Sequence, residues 1–121
     1  MNNNYEENIR LLDFENQIYL LLIFATLLNY DANLKLKERY LNNQNANKTI
    51  RDEYLFANYI GLYIFIVFLF RNYNTLNNQE EGTEEDELAK LRVIGSYLFI
   101  MGQLIVIYYL MNTSNFEDSP I

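Results

Sequence analysis

Three apolar blocks separated by polar stretches dominate the chain. They cover residues 18–28, 54–70 and 93–111, and none of them contains a charged residue. A helix needs about 20 mostly apolar residues to cross a bilayer, with a range of roughly 17–25. The second and third blocks reach that length. The first is short, so it can span only with help from flanking polar residues or by thinning the bilayer locally.

An all-α integral membrane bundle, a single domain over residues 1–121, explains this pattern better than a soluble bundle. A soluble helix shows one apolar stripe and one polar face, whereas the second block is apolar all round between Tyr59 and Phe70. So small a chain has little protein to bury such a helix on every side. We predict three transmembrane helices over 16–31, 53–72 and 91–112, joined by polar loops over 32–52 and 73–90.

Two segments beside the first span also have helical patterns. Asn8–Phe14 and Ala32–Leu41 both mix apolar residues with charged ones. Either could lie at the membrane surface, Asn8–Phe14 as a separate helix before the first span, or extend the first helix into water. The first apolar block is followed by no small-residue cleavage site, so we expect it to remain in the mature protein.

The start of each later span has a predicted capping box. Thr49 is followed three residues later by Asp52, and Thr83 is followed in the same way by Asp86. In a capping box the hydroxyl accepts a free backbone N–H of the first turn, and the acidic side chain reaches back to the cap.

Composition excludes several chemistries. The chain has no cysteine and no histidine, so it has no disulfide, no thiolate or imidazole metal site, and no Cys–His or Ser–His nucleophile. The net charge is −7, whereas a nucleic-acid binder needs a basic patch. We therefore expect no enzymatic activity, no cofactor, no metal and no nucleic-acid partner. The many Asn, Ile, Tyr and Leu residues favour a bacterial or phage origin.

The acidic run over residues 80–87 is the one segment that invites a cation-binding hypothesis. It lacks the alternating acidic spacing and fixed glycine of a calcium loop. Acidic residues are also stabilised at the start of a helix by the helix dipole. We interpret the run as a solvated linker followed by a capped helix start.

The orientation of the chain in the cell membrane depends on a small charge difference. With three spans, the first loop and the C-terminus share one side of the membrane. That side carries five basic residues, and the opposite side carries Arg10, Arg71, Lys90 and Arg92. Basic residues favour the cytoplasmic side, so the pattern favours an outside N-terminus and a cytoplasmic C-terminus.

Polar and small residues inside the spans are the candidates for helix packing. Buried amides form interhelical hydrogen bonds, and small residues let helices approach closely. Ser96 and Gln103 lie seven residues apart, two turns along one face of the third span. No acidic or basic residue lies within the apolar blocks, which argues against a coupled transporter. The packing candidates are Ala57, Asn58, Gly61, Gly95, Ser96, Gly102 and Gln103.

Several functions are compatible with these features. The first is a small accessory, structural or interaction subunit that binds itself or a larger membrane protein through its spans. The second is an oligomeric pore, because the chain resembles phage holins in size and topology, although its tail NTSNFEDSPI is acidic where many holin tails are basic. An immunity-type membrane protein fits equally well. A lipid-modifying enzyme is least favoured, because its only carboxylate cluster, Asp31, Asp52 and Glu53, flanks the spans.

Overall fold

The computed structural model describes residues 2–113, with side chains from Tyr5 onward, and over that range it contains three helices and no strand. The helices are α1 (Asn2–Leu41), α2 (Lys48–Asn77) and α3 (Glu84–Asn112). All three are long and apolar enough to cross a membrane. The predicted all-α fold with three candidate spans is therefore confirmed, and it is compatible with a membrane location. The acidic C-terminal tail lies outside the described residues.

The helices are longer than the predicted spans. Only residues 42–47 and 78–83 connect them, so most of each predicted polar loop is helical. The helix with the shortest apolar block, α1, is the longest, with 40 residues and a length of about 60 Å. Both Asn8–Phe14 and Ala32–Leu41 belong to it, and neither is a separate surface helix. The length of an apolar block corresponds to the bilayer thickness that the helix could cross. The helix itself can be longer, because polar residues beyond the block can also be helical.

The N-cap of α2 differs from the predicted one. Asn47 is the cap, and its side-chain oxygen accepts the backbone N–H of Ile50 at 2.9 Å. Thr49 lies inside the first turn, so the capping box predicted there with Asp52 is wrong. Asparagine caps at least as well as threonine, and two good caps so close together leave the start of a helix undecided by sequence.

The N-cap of α3 is Thr83, as predicted. Its hydroxyl accepts the backbone N–H of Asp86 at 3.2 Å. The carboxylate of Asp86 does not return to the cap residue. It accepts the N–H of Gly82 at 3.3 Å and lies 3.0 Å from the ammonium of Lys90. Gly82 has a φ of 82°, a conformation that glycine adopts without strain.

This turn predicts a specific pH dependence. The hydrogen bond from Lys90, supported by the N–H of Gly82, lowers the pKa of Asp86 below its ordinary value of 3.8. The turn is therefore stabilised above pH 3.8, and the stabilisation is lost as pH falls through the lowered pKa. We expect a carbon-13 NMR titration of the Asp86 carboxyl in micelles to give a midpoint below 3.8.

The matched variant for this titration is Lys90→Gln, which should move the Asp86 midpoint upward. An unchanged midpoint would contradict the assigned cause. At the alkaline end the same contact raises the pKa of Lys90 above 10.5. The contribution of that ammonium is complete below pH 10.5 and is lost as pH rises through the raised pKa.

Helix α2 is central and packs in antiparallel fashion against both α1 and α3, which make no direct backbone approach to each other in the described part of the chain. Its buried residues recur at alternating intervals of three and four. This is the heptad spacing of left-handed coiled coils and of most helix bundles. The buried residues of α3 follow the same spacing. The α2 stripe is Ile50, Tyr54, Ala57, Gly61 and Ile64, and the α3 stripe includes Asp86, Ala89, Val93, Ser96, Ile107 and Leu110.

The tightest part of the core lies at one end of the bundle, beside the connection over residues 42–47. Ala32, Leu36, Ile50, Tyr54 and Leu110 form one buried cluster there. It joins the C-terminal ends of α1 and α3 to the N-terminal end of α2. The opposite end has no comparable cluster among the described residues, and it contains a cavity instead.

Candidate functional site

Two amide side chains meet between the middle parts of α2 and α3. Gln103 donates a hydrogen bond to the side-chain oxygen of Asn58, and Asn58 donates to the carbonyl of Tyr54 at 2.7 Å. Gly61 makes room for this pair, because a Cβ built there would lie only 2.8 Å from Oε1 of Gln103. The deepest amides of the chain are thus engaged with each other, at a place where a glycine lets the helices approach.

The remaining packing candidates are divided among different surroundings. Ala57 and Ser96 are buried. Gly95 lines the cavity at the loop 78–83 end of the bundle, and Gly102 is exposed on α3. A Cβ added at either glycine would meet no atom within 4 Å. The seven candidates therefore do not form one site: Asn58, Gly61 and Gln103 lie together, and Gly102 faces away from the other helices.

A second polar cluster joins all three helices at the loop 78–83 end. Arg71 of α2 forms an ion pair with Glu15 of α1, with 2.7 Å between Nη1 and Oε2, and the two side chains are only 26% and 19% exposed. The next residue, Asn72, donates to the hydroxyl of Ser96 on α3 at 2.6 Å. One turn of α2 thus links its neighbours on both sides through polar contacts.

The cavity beside this cluster has a volume of about 430 Å³ and is partly open to its surroundings. Two aromatic pairs line its apolar part: Phe65 stacks on Phe99 with ring centroids 5.2 Å apart, and Tyr19 lies 6.2 Å from Phe68. The polar part is lined by the cluster just described and by Arg92. The cavity is amphipathic, because aromatic rings line it toward the middle of the helices and guanidinium groups line it toward loop 78–83.

The opposite end of the bundle places together two of the three carboxylates suggested for lipid chemistry. The ammonium of Lys35 lies 2.8 Å from Asp31 and 2.8 Å from Glu53. Hydrogen bonds to both carboxylates raise the pKa of Lys35 above its ordinary value. Asp52 is exposed, and the structure gives it a long contact of 3.9 Å with Arg51. The arrangement is an ion-pair network that joins α1 to α2.

Sequence reasoning missed the cluster at the loop 78–83 end, because Arg71 and Arg92 were used only to predict the orientation and Glu15 was assigned no contact. A signal was present. In an antiparallel pair of helices, a second contact is expected at equal residue distances from the first, backward along one helix and forward along the other. Glu15 precedes Lys35 by 20 residues and Arg71 follows Glu53 by 18. One ion pair at the first loop therefore predicts a second pair at nearly the same register at the other end.

Comparison with known protein families, curated proteins and solved structures finds no match to this chain. What the arrangement can do must be argued from its own residues. In the described part of the chain no three acidic side chains are grouped to hold a metal ion. The chemistry present is hydrogen bonding between helices, ion pairing at both ends, and an amphipathic cavity.

Proposed function

We propose that the protein is a small multi-pass membrane protein, of bacterial type, that serves as an accessory or interaction subunit. It assembles through its transmembrane helices with further copies of itself or with a larger membrane protein. The proposal includes insertion with the N-terminus outside and the C-terminus cytoplasmic, because five basic residues against four favour that arrangement.

One observation carries this proposal: the deep polar groups are used within the chain, while a glycine on α3 is left facing outward. Gln103 bonds to Asn58, and Ser96 bonds to Asn72. Gly102 is exposed, with open space around the position of its missing Cβ. Glycine within a helix costs about 1 kcal/mol relative to alanine, and outward-facing small residues let a partner helix approach closely.

The main alternative is an oligomeric pore, which needs polar side chains facing a water-filled path. Ser96 and Gln103, which lie two turns apart along one face of α3, already have partners on α2. Lining a pore with them would require breaking both hydrogen bonds and turning α3. This favours the accessory function over the pore.

The test is controlled expression of the chain in bacteria, combined with site-directed crosslinking in intact membranes. Growth and membrane potential, followed with a potential-sensitive dye, should stay normal. A photoreactive residue at Leu98 or Ile105, both exposed on α3, should yield crosslinked species, and Gly102→Leu should abolish them. Rapid depolarisation that Gln103→Leu prevents would establish the pore instead. Crosslinks unaffected by Gly102→Leu would show that the outward face of α3 around Gly102 is not the assembly surface.

A further inference from the structure

The amphipathic cavity has the features of a lipid site. We propose that it binds one anionic phospholipid, with the phosphate group at Arg92 and Arg71 and part of one acyl chain against Phe65 and Phe99. The volume of about 430 Å³ lies within the range of roughly 300–1,000 Å³ that ligand cavities occupy. This inference does not depend on the accessory function proposed above.

The polar and apolar parts of the cavity follow one another along the helices in the order of the head group and acyl chains of a membrane lipid. Phe65 precedes Arg71 by six residues on α2, and Phe99 follows Arg92 by seven on α3. At 1.5 Å per residue the aromatic pair lies about 10 Å closer to the middle of the helices than the guanidinium groups. The charged groups begin where the apolar blocks end, so the polar part lies at the membrane boundary and the aromatic part lies in the hydrocarbon region.

The charge balance favours an anionic head group. The carboxylate of Glu15 is already 2.7 Å from Arg71. The carbonyl of Arg92 accepts hydrogen bonds from Asn72 and Ser96, whereas its guanidinium has no anionic partner among the described side chains. One net positive charge is therefore left in the cavity lining, and guanidinium groups match phosphate oxygens in geometry.

The absence of tryptophan from the sequence permits a direct test. Phe99→Trp places a single tryptophan in the lining of the cavity, and Leu98→Trp places one at the neighbouring position, which is equally exposed but lies outside that lining. Each variant is reconstituted into phosphatidylcholine vesicles that contain a minor fraction of brominated phosphatidylglycerol or brominated phosphatidylcholine. Bromine quenches only nearby tryptophan, so quenching reports which lipid occupies the site. Circular dichroism confirms that each variant is folded, and Phe65→Trp serves as a second reporter.

At residue 99 we expect about fivefold preference for phosphatidylglycerol over phosphatidylcholine, the effect of one cationic group near a phosphate. At residue 98 we expect no preference. Arg92→Gln should abolish the preference at residue 99, whereas Arg10→Gln, an equal charge change on exposed α1, should preserve it. Equal quenching by both lipids at residues 99 and 65, or equal loss with both arginine variants, would overturn the proposal. Restoration of fluorescence by millimolar glycerol phosphate would overturn it as well, by assigning the site to a soluble phosphate ester.

Discussion

Replacing Gly61 by leucine should destabilise the bundle by about 2–3 kcal/mol. A Cβ at this position lies 2.8 Å from Oε1 of Gln103, and the larger side chain must also displace the amide from Asn58. Overpacking a well-packed contact typically costs about 1–3 kcal/mol, and an interhelical hydrogen bond in a membrane protein contributes on average about 0.6 kcal/mol. The measurement is the free energy of unfolding in mixed micelles, followed by circular dichroism.

Two control substitutions test the cause of the destabilisation expected for Gly61→Leu. Gly102→Leu makes the same chemical change on the outward face of α3, where a Cβ meets nothing within 4 Å. It should not destabilise the isolated chain, because leucine regains most of the roughly 1 kcal/mol that glycine costs in a helix. Gly61→Ala should also have a small effect, because Oε1 ends a flexible side chain and alanine regains about 1 kcal/mol of helix propensity. Equal losses for leucine at residues 61 and 102 would refute the close α2–α3 approach at Gly61.

The fold was predictable from sequence because helices long and apolar enough to cross a membrane leave a strong pattern in it. Uncharged apolar blocks of spanning length can be read without knowledge of tertiary structure. The ends of the helices were less predictable. Thr49 and Asn47 are both good caps, and nothing local decides between them. The continuation of α1 through Ala32–Leu41 was open, since a mixed polar segment can lie on a membrane or stand in water.

The way the helices face one another could not be read from hydrophobicity. A transmembrane helix is apolar on its lipid side and on its packed side, so no polar face marks the outside. The size of the side chains held more information. Ala25 and Ala32 are both buried on α1, seven residues apart, which is the spacing of the packed stripe. Small residues at heptad intervals therefore mark the interface of α1, although Ala25 and Ala32 were not among the predicted packing residues. Side-chain size could not identify Asn58 as the partner of Gln103.

Breaking the ion pair between α1 and α2 is the second large perturbation that we expect. Arg71→Gln leaves the carboxylate of Glu15 only 19% exposed and without its partner at 2.7 Å. Removing one member of a fully buried pair costs about 3–5 kcal/mol, whereas an exposed pair contributes less than about 1 kcal/mol. For these half-buried side chains, we expect a loss of about 1–3 kcal/mol in the free energy of unfolding, measured in the same micelles.

A double variant that combines Glu15→Arg with Arg71→Glu distinguishes the contribution of the ion pair from the contribution of side-chain shape. Each single reversal places two like charges in contact between α1 and α2 and should destabilise more than Arg71→Gln. The double variant should recover most of the loss, because the attraction is restored with its direction reversed. Arg10→Gln changes net charge equally on an exposed part of α1 and should have almost no effect. If the two reversals were simply additive, the contact between Glu15 and Arg71 would contribute nothing to the joining of these helices. Their register would then depend on Lys35 with Glu53, and on the small buried residues alone.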